Sequence, residues 1–334
     1  METQLQKKLI VHRNLKDTSI KMYGSTLNTM AETFNTRYIT KDFIRKNIDN
    51  IIEHYKKEGT HSKQQSVLSV LLIVLSPKGT DKYLPEDKEL YEKIKKELWE
   101  HNQTYKQTKL EQTKTQKEKD NWIKYDVIRQ WIRDNYKLII KKSKNKLEIE
   151  TLNDLQELLI IMLYHFIPPR RLDYSTMVIT TQKNYDKMDK RNVNAFVITR
   201  PHKNSFMSFG ADIAKSKKKE DCVIVKMGTE YDEFPNVVLK VLKQIIKNIY
   251  KKDDGNYRML QNSNGGDMSK PSMTKFIKRI FNKHFEKKAV GSSLLRKIYL
   301  SNIKEEPSLK KRIRIANIMN HSVMTSLWIY TKLD

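Results

Sequence analysis

Apolar residues recur at steps of three and four through most of the first eighty positions, the spacing of one helix face. In residues 15–34 the set is Ile20, Tyr23, Leu27 and Met30. In 40–57 it is Phe43, Ile44, Ile48, Ile51, Ile52 and Tyr55, with Thr40 placed to cap the helix. Residues 64–75, QQSVLSVLLIVL, are apolar nearly all round and predict a buried helix stopped by Ser76-Pro77. The outer positions carry Lys41, Arg45, Lys46, Lys56, Lys57 and Lys63. The pattern therefore predicts a small helical bundle with a basic exterior.

From 83 to 120 the chain turns polar and repetitive (TYKQTKLEQTKTQKEKD) and has almost nothing to bury, so it reads as a helical or partly disordered connector. Trp122, Ile123, Val127, Trp131 and Ile132 restart a helical core pattern, and LNDLQELLIIMLYHFI is a second apolar helix ended by Pro168-Pro169. The period then changes. NAFVIT, NSFMSF and DCVIVKM are short, rich in β-branched and aromatic residues and separated by polar turns, which predicts a small antiparallel sheet. GADIAKSKKKE joins the last two as a basic hairpin tip, and helical patterning resumes at VVLKVLKQIIKNIY and continues to the end. The expected fold is mainly α with a small antiparallel β-sheet: a helical domain at 1–82, a polar linker at 83–120 and an α+β domain at 121–334.

Charge narrows the partner. Sixty-five Lys and Arg against 39 Asp and Glu leave a net charge of +26, spread along the chain, which points to a polyanion: nucleic acid first, an anionic membrane second. Lys, Asn and Ile are all frequent, as an AT-rich genome would produce, so part of that charge is compositional. No run of eighteen apolar residues occurs and residues 1–30 lack the basic-then-apolar order of a signal peptide, so a soluble protein is expected. A single cysteine, Cys222, excludes a disulfide framework and a thiolate metal site. With nine glycines, no P-loop and no GxGxxG, ATP-driven and dinucleotide chemistry have no support, and no D/D/E set suggests a metal-dependent nuclease. No cofactor is expected.

Five residues stand in a telling order. Arg170 follows the proline stop in PPRRLDY, Lys215 lies on the hairpin tip, Arg296 sits in SSLLRKIYLS, and His321 in NHS precedes Tyr330 by nine positions. Singly each has a bland reading: a salt-bridge or surface arginine, a solvated lysine, a packing histidine or tyrosine. Together they resemble the tyrosine recombinases, or phage-type integrases, and most closely the Crypton-like branch of mobile elements and large DNA viruses. The resemblance covers the C-terminal half well, and the N-terminal bundle looks like the family's core-binding domain. Arg170-Arg171-Leu172-Asp173 fits the family's R-x-x-[D/E] frame, Lys215 matches the hairpin lysine, Arg296 the arginine of H-x-x-R, His321 the histidine of G-H-S and Tyr330 the nucleophile. Arg171 reads as a backbone-phosphate contact or a solvent residue. Ser293 stands where the family has histidine in H-x-x-R, so either His321 carries more of the proton handling or the enzyme is slow. Four residues follow Tyr330, whereas many relatives continue into a helix that docks on a neighbouring protomer, so that exchange is expected to use another segment, to be weaker, or to have been lost by truncation.

The chemistry suits the residue types. Attack on a phosphodiester builds charge on its non-bridging oxygens, and guanidiniums stay charged and bond two oxygens at once. A lysine ammonium can protonate the leaving 5′ oxygen. The resemblance implies a DNA strand transferase that acts through a covalent 3′-phosphotyrosyl ester without metal or ATP. It also implies double-stranded DNA as partner, clamped between the two domains, a dimer on one site, a tetramer in the synapse and an intracellular location at DNA. The rivals are a type IB topoisomerase, which shares the chemistry but usually holds its tyrosine in a different frame, and a non-catalytic DNA-binding protein.

Overall fold

The computed structural model describes residues 17–76, 85–145, 148–213, 222–227, 234–250, 255–262, 264–303 and 308–332. The chain divides into two compact units, Met1–Glu111 and Gln112–Asp334. Among the described residues, no helix is long and apolar enough to cross a membrane.

The first unit holds α1 (Asp17–Thr33), α2 (Lys41–Glu58), α3 (His61–Leu75) and α4 (Lys88–Leu110). Thr40 caps α2 by accepting from the Phe43 N–H at 3.1 Å, and the stripe Ile44, Ile48, Ile51, Ile52, Tyr55 is buried as its spacing predicts. The other three helices pack on α3, which explains why α3 is apolar on nearly every side. The boundary between the units falls inside the stretch 83–120, and α4 belongs to the first unit. Helix α4 carries one narrow stripe, with Tyr91 and Ile94 buried and Leu98 half-buried, and that stripe seats it in the first core. Its start is fixed by Asp87, whose wholly buried carboxylate takes Arg45 Nε at 2.7 Å and Lys41 Nζ at 3.6 Å. Part of the basic exterior is thus spent inside the bundle; Lys56 likewise pairs with Glu97 at 2.7 Å.

In the second unit α5 (Gln116–Asn121) is held by a capping box at Thr115 and Glu118. Helices α6 (Tyr125–Asn145) and α8 (Phe234–Tyr250) pack on α7 (Ile149–Phe166), an element buried along most of its length. Ile128 rather than Val127 faces the core of α6; Val127 is exposed.

The strands are β1 (Val178–Thr181), β2 (Asn194–Ile198), β3 (Phe206–Phe209), β4 (Val223–Lys226) and β5 (Tyr257–Arg258), in the order β4-β3-β2-β1-β5. The sheet is mixed, which corrects the expectation of a purely antiparallel one: β1 pairs in parallel with β2, Val178 opposite Ala195, while the other pairs are antiparallel. A parallel neighbour needs a crossover, and residues 182–193 supply it. β3 ends at Gly210, where a Cβ would lie 2.4 Å from the Arg191 carbonyl. Helices α9 (Lys270–Phe285), α10 (Ser292–Ser301) and α11 (Leu309–Met319) follow, then a short turn at Val323–Thr325 and a wider π turn at Ser326–Tyr330.

Candidate active site

Pro168 and Pro169 end α7, and the chain delivers Arg170 into the protein rather than to its surface: the side chain is 2% exposed. Its Nε donates to Asp173 Oδ2 at 2.7 Å and its Nη1 to the Ile318 carbonyl at 2.8 Å, while the guanidinium lies 4.4 Å from the centre of the Phe209 ring. Asp173 is therefore the acidic partner that the R-x-x-D frame implies. A buried cation needs that company, because desolvation alone would expel it.

Arg296 faces inward from α10 and is completely buried. Its Nη2 donates to the Met319 carbonyl at 2.8 Å. Its Nε and Nη1 are buried without a hydrogen-bond partner among the described residues. Burial pushes this guanidinium down to about 10, with the Tyr330 phenol opposing the shift and the Arg171 and Arg170 charges adding to it. It remains a cation at neutral pH. Two donors held in a dry place beside other cations describe a site short of an anion.

Both arginines thus end on the last turn of α11, whose terminal carbonyls lack helical partners. Asn320 then takes a left-handed conformation, φ 56° and ψ 55°, and the His321 N–H closes back on the Ala316 carbonyl at 3.1 Å. Glycine and asparagine tolerate that conformation, which is the physical reason for either residue before the histidine. The His321 Nδ1 lies 2.9 Å from the Ser322 carbonyl and so carries the ring proton, leaving Nε2 as the acceptor.

Ser322 caps the next turn by accepting from the Thr325 N–H at 3.1 Å. The chain then widens, with the Thr331 N–H reaching the Ser326 carbonyl five residues back at 3.1 Å. This turn brings Tyr330 inward, 4% exposed. Its ring stacks on His321 with centres 5.1 Å apart, and the Arg296 guanidinium lies 4.6 Å from its own centre. Its hydroxyl accepts from Arg171 Nη2 at 3.2 Å. The segment after Tyr330 is held to the same unit: the Lys332 N–H donates to Ser301 Oγ and Lys332 Nζ to the Thr113 carbonyl, each at 2.8 Å.

Four of the five residues picked from the sequence, Arg170, Arg296, His321 and Tyr330, therefore gather in one place. Lys215 lies outside the described residues; β3 and β4, which precede and follow its segment in sequence, pair antiparallel. Ser293 is exposed, one turn before Arg296 on α10. The residue that sequence reading undervalued is Arg171, and the doubled arginine was its signal. Two other tyrosines line the site. Tyr164 donates its hydroxyl to the Arg171 carbonyl, and Tyr174 accepts from the Arg170 N–H at 3.3 Å. Burial pushes both phenols well above their ordinary range, so neither can ionise readily.

Among solved structures, the chain is similar to one described as the crystal structure of XerA recombinase, at 13% sequence identity and a TM-score of 0.40, covering 96% of this chain and 89% of that one. No protein-family model matches the sequence, and no curated protein does.

Proposed function

We propose that the chain is a tyrosine recombinase that cuts and rejoins double-stranded DNA through a 3′-phosphotyrosyl ester at Tyr330. The observation that carries this reading is the convergence of two buried guanidiniums, an imidazole and one phenol contributed by four separate stretches of sequence. Arg296 offers its two unfilled N–H groups to the non-bridging oxygens of the scissile phosphate, and Arg170 adds its charge from the other side, held in place by Asp173. Such donors, aimed before the reaction starts, stabilise the charge that grows in the transition state by about 3–4 kcal/mol each. His321 Nε2 accepts the phenol proton. Lys215, in the segment of sequence that joins β3 to β4, protonates the departing 5′ oxygen. The ester conserves the energy of the broken bond, so a second 5′ hydroxyl can reverse the step.

The sequence resemblance extends the reading to the Crypton-like branch, to paired protomers on one site and four in a synapse, and to work at intracellular DNA. The test is incubation with nicked suicide duplexes built from the ends of the DNA element that encodes the chain, with EDTA present. A covalent protein–DNA adduct is expected, and Tyr330→Phe abolishes it. An adduct that survives that change removes Tyr330 from its role, and relaxation of supercoils by isolated protomers would favour a type IB topoisomerase.

A further inference from the structure

Two arginines touch Tyr330 in different ways, and a third, Arg170, acts on Arg296. Arg296 lies over the face of the ring, 4.6 Å from its centre, where it meets the π electrons and not the oxygen. Arg170 has Nε committed to Asp173 and Nη1 to the Ile318 carbonyl. Arg171 alone of the three is bonded to the hydroxyl, at 3.2 Å through Nη2. Its backbone is fixed by the Tyr164 hydroxyl, while its own side chain is exposed and takes no part in the buried ion pair of Arg170.

We infer that Arg171 is a catalytic residue that stabilises the phenolate of Tyr330 during attack, an assignment that rests on the strand-transfer reading above. An N–H already on the phenolic oxygen leaves the phenol's own proton to be given away. As that proton leaves, a bond from a cation to a neutral oxygen becomes one between opposite charges, which is shorter and stronger. The gain appears only as the oxygen turns negative, so it lowers the barrier without tightening the ground state. In the step itself the Tyr330 Oη–P bond forms and the P–O5′ bond breaks. The phenol proton passes to His321 Nε2, and the O5′ takes a proton from Lys215. The groups in contact with the phenol are Arg171 from the segment after α7, Arg296 from α10 and His321 from the turn after α11; Arg170 and Tyr164 act on the Arg296 guanidinium beside it. A substitution at Arg171 leaves the other four in place.

The test uses full-length protein on a suicide duplex, with adduct formation followed under single turnover and duplex affinity by anisotropy. Arg171→Ala is expected to form adduct roughly 10²-fold more slowly at unchanged affinity, with Arg171→Lys in between. Replacing Tyr330 by 3,5-difluorotyrosine, whose phenolate needs less stabilisation, should restore more of the rate in Arg171→Ala than it adds in the parent. A rate loss matched by an equal loss of DNA affinity overturns the inference, because it is the signature of a phosphate contact, and so does an equal effect of the fluorinated phenol in both proteins. A parent protein that binds the duplex and makes no adduct would sink the strand-transfer reading and the catalytic role with it, whereas adduct formed equally fast by parent and Arg171→Ala sinks the catalytic role alone.

Discussion

Arg170 and Arg296 are anchored to successive carbonyls, Ile318 and Met319, at 2.8 Å each. The end of a helix is a natural seat for cations, because its terminal carbonyls are unpaired and the dipole is negative there. The arrangement fixes two guanidiniums from elements 126 positions apart at one spacing, set by the pitch of α11. It also places like charges close together in a dry region, an unfavourable state that an incoming phosphate would relieve.

That unfavourable state predicts a conflict between stability and activity at Arg296. Each buried donor without a partner costs about 1–3 kcal/mol, and Arg296 has two. Arg296→Met removes both along with the buried charge, at the expense of one bond to the Met319 carbonyl and the contact with the Tyr330 ring. Calorimetry should show a Tm equal to or above that of the parent, while adduct formation falls by roughly 10²–10³-fold. A large drop in Tm would mean that the guanidinium is a structural element.

The turn at Asn320 gives a second test. A residue with Cβ held in the left-handed region costs about 1–2 kcal/mol, which glycine avoids and asparagine partly avoids. Asn320→Gly should therefore keep its stability in urea, and Asn320→Ala should lose about 1 kcal/mol. Because the His321 N–H closes this turn onto Ala316, activity should follow the same order.

The sequence made local features legible and left distant ones hidden. The cap at Thr40, the buried stripe of α2 and the all-round burial of α3 and α7 depend on neighbours within a few turns, and they are where the periodicity puts them. Strand β1 was not legible. It is four residues long, and its buried Thr180 looks polar until its hydroxyl meets Asn256 at 2.6 Å. Its parallel partner is set by packing that no local pattern records. The stripe Tyr91, Ile94, Leu98 was masked by the charge of the rest of α4. In the site, the order Arg, Arg, His, Tyr could be read because it resembles the order of the tyrosine recombinases. The bond from Arg171 to Tyr330 joins positions 159 apart and exists only because the turn at 326–330 swings the phenol inward.

A chain of net charge +26 that grips a duplex through phosphates should release counterions when it binds. Affinity for a duplex, measured by fluorescence anisotropy, should fall linearly on a log–log plot against salt. If about 6–10 phosphates are contacted, the loss between about 50 and 200 mM is roughly 10³–10⁵-fold. Tyr330→Phe should leave that slope unchanged, since the phenol carries no charge. Salt-insensitive binding would contradict the proposed partner.

His165, in the last turn of α7, predicts where acid first weakens the second unit. Its ring lies 3.8 Å from that of Tyr125, and neither of its buried nitrogens has a hydrogen-bond partner among the described residues. Burial pushes the imidazole down from its ordinary 6.5 to about 3, and the Arg129 charge adds to the shift. The folded state therefore holds His165 neutral at pH values where the unfolded chain is already protonating it. The stabilisation this represents is complete above about pH 6.5 and declines as pH falls towards about 3. At pH 5 the loss is about 2 kcal/mol, before most carboxylates begin to titrate. Substituting His165→Phe keeps a ring against Tyr125 and removes the titration. The urea midpoint of the parent should drop between pH 7 and pH 5 while that of the variant stays level, and equal drops in both would place the acid-sensitive group elsewhere.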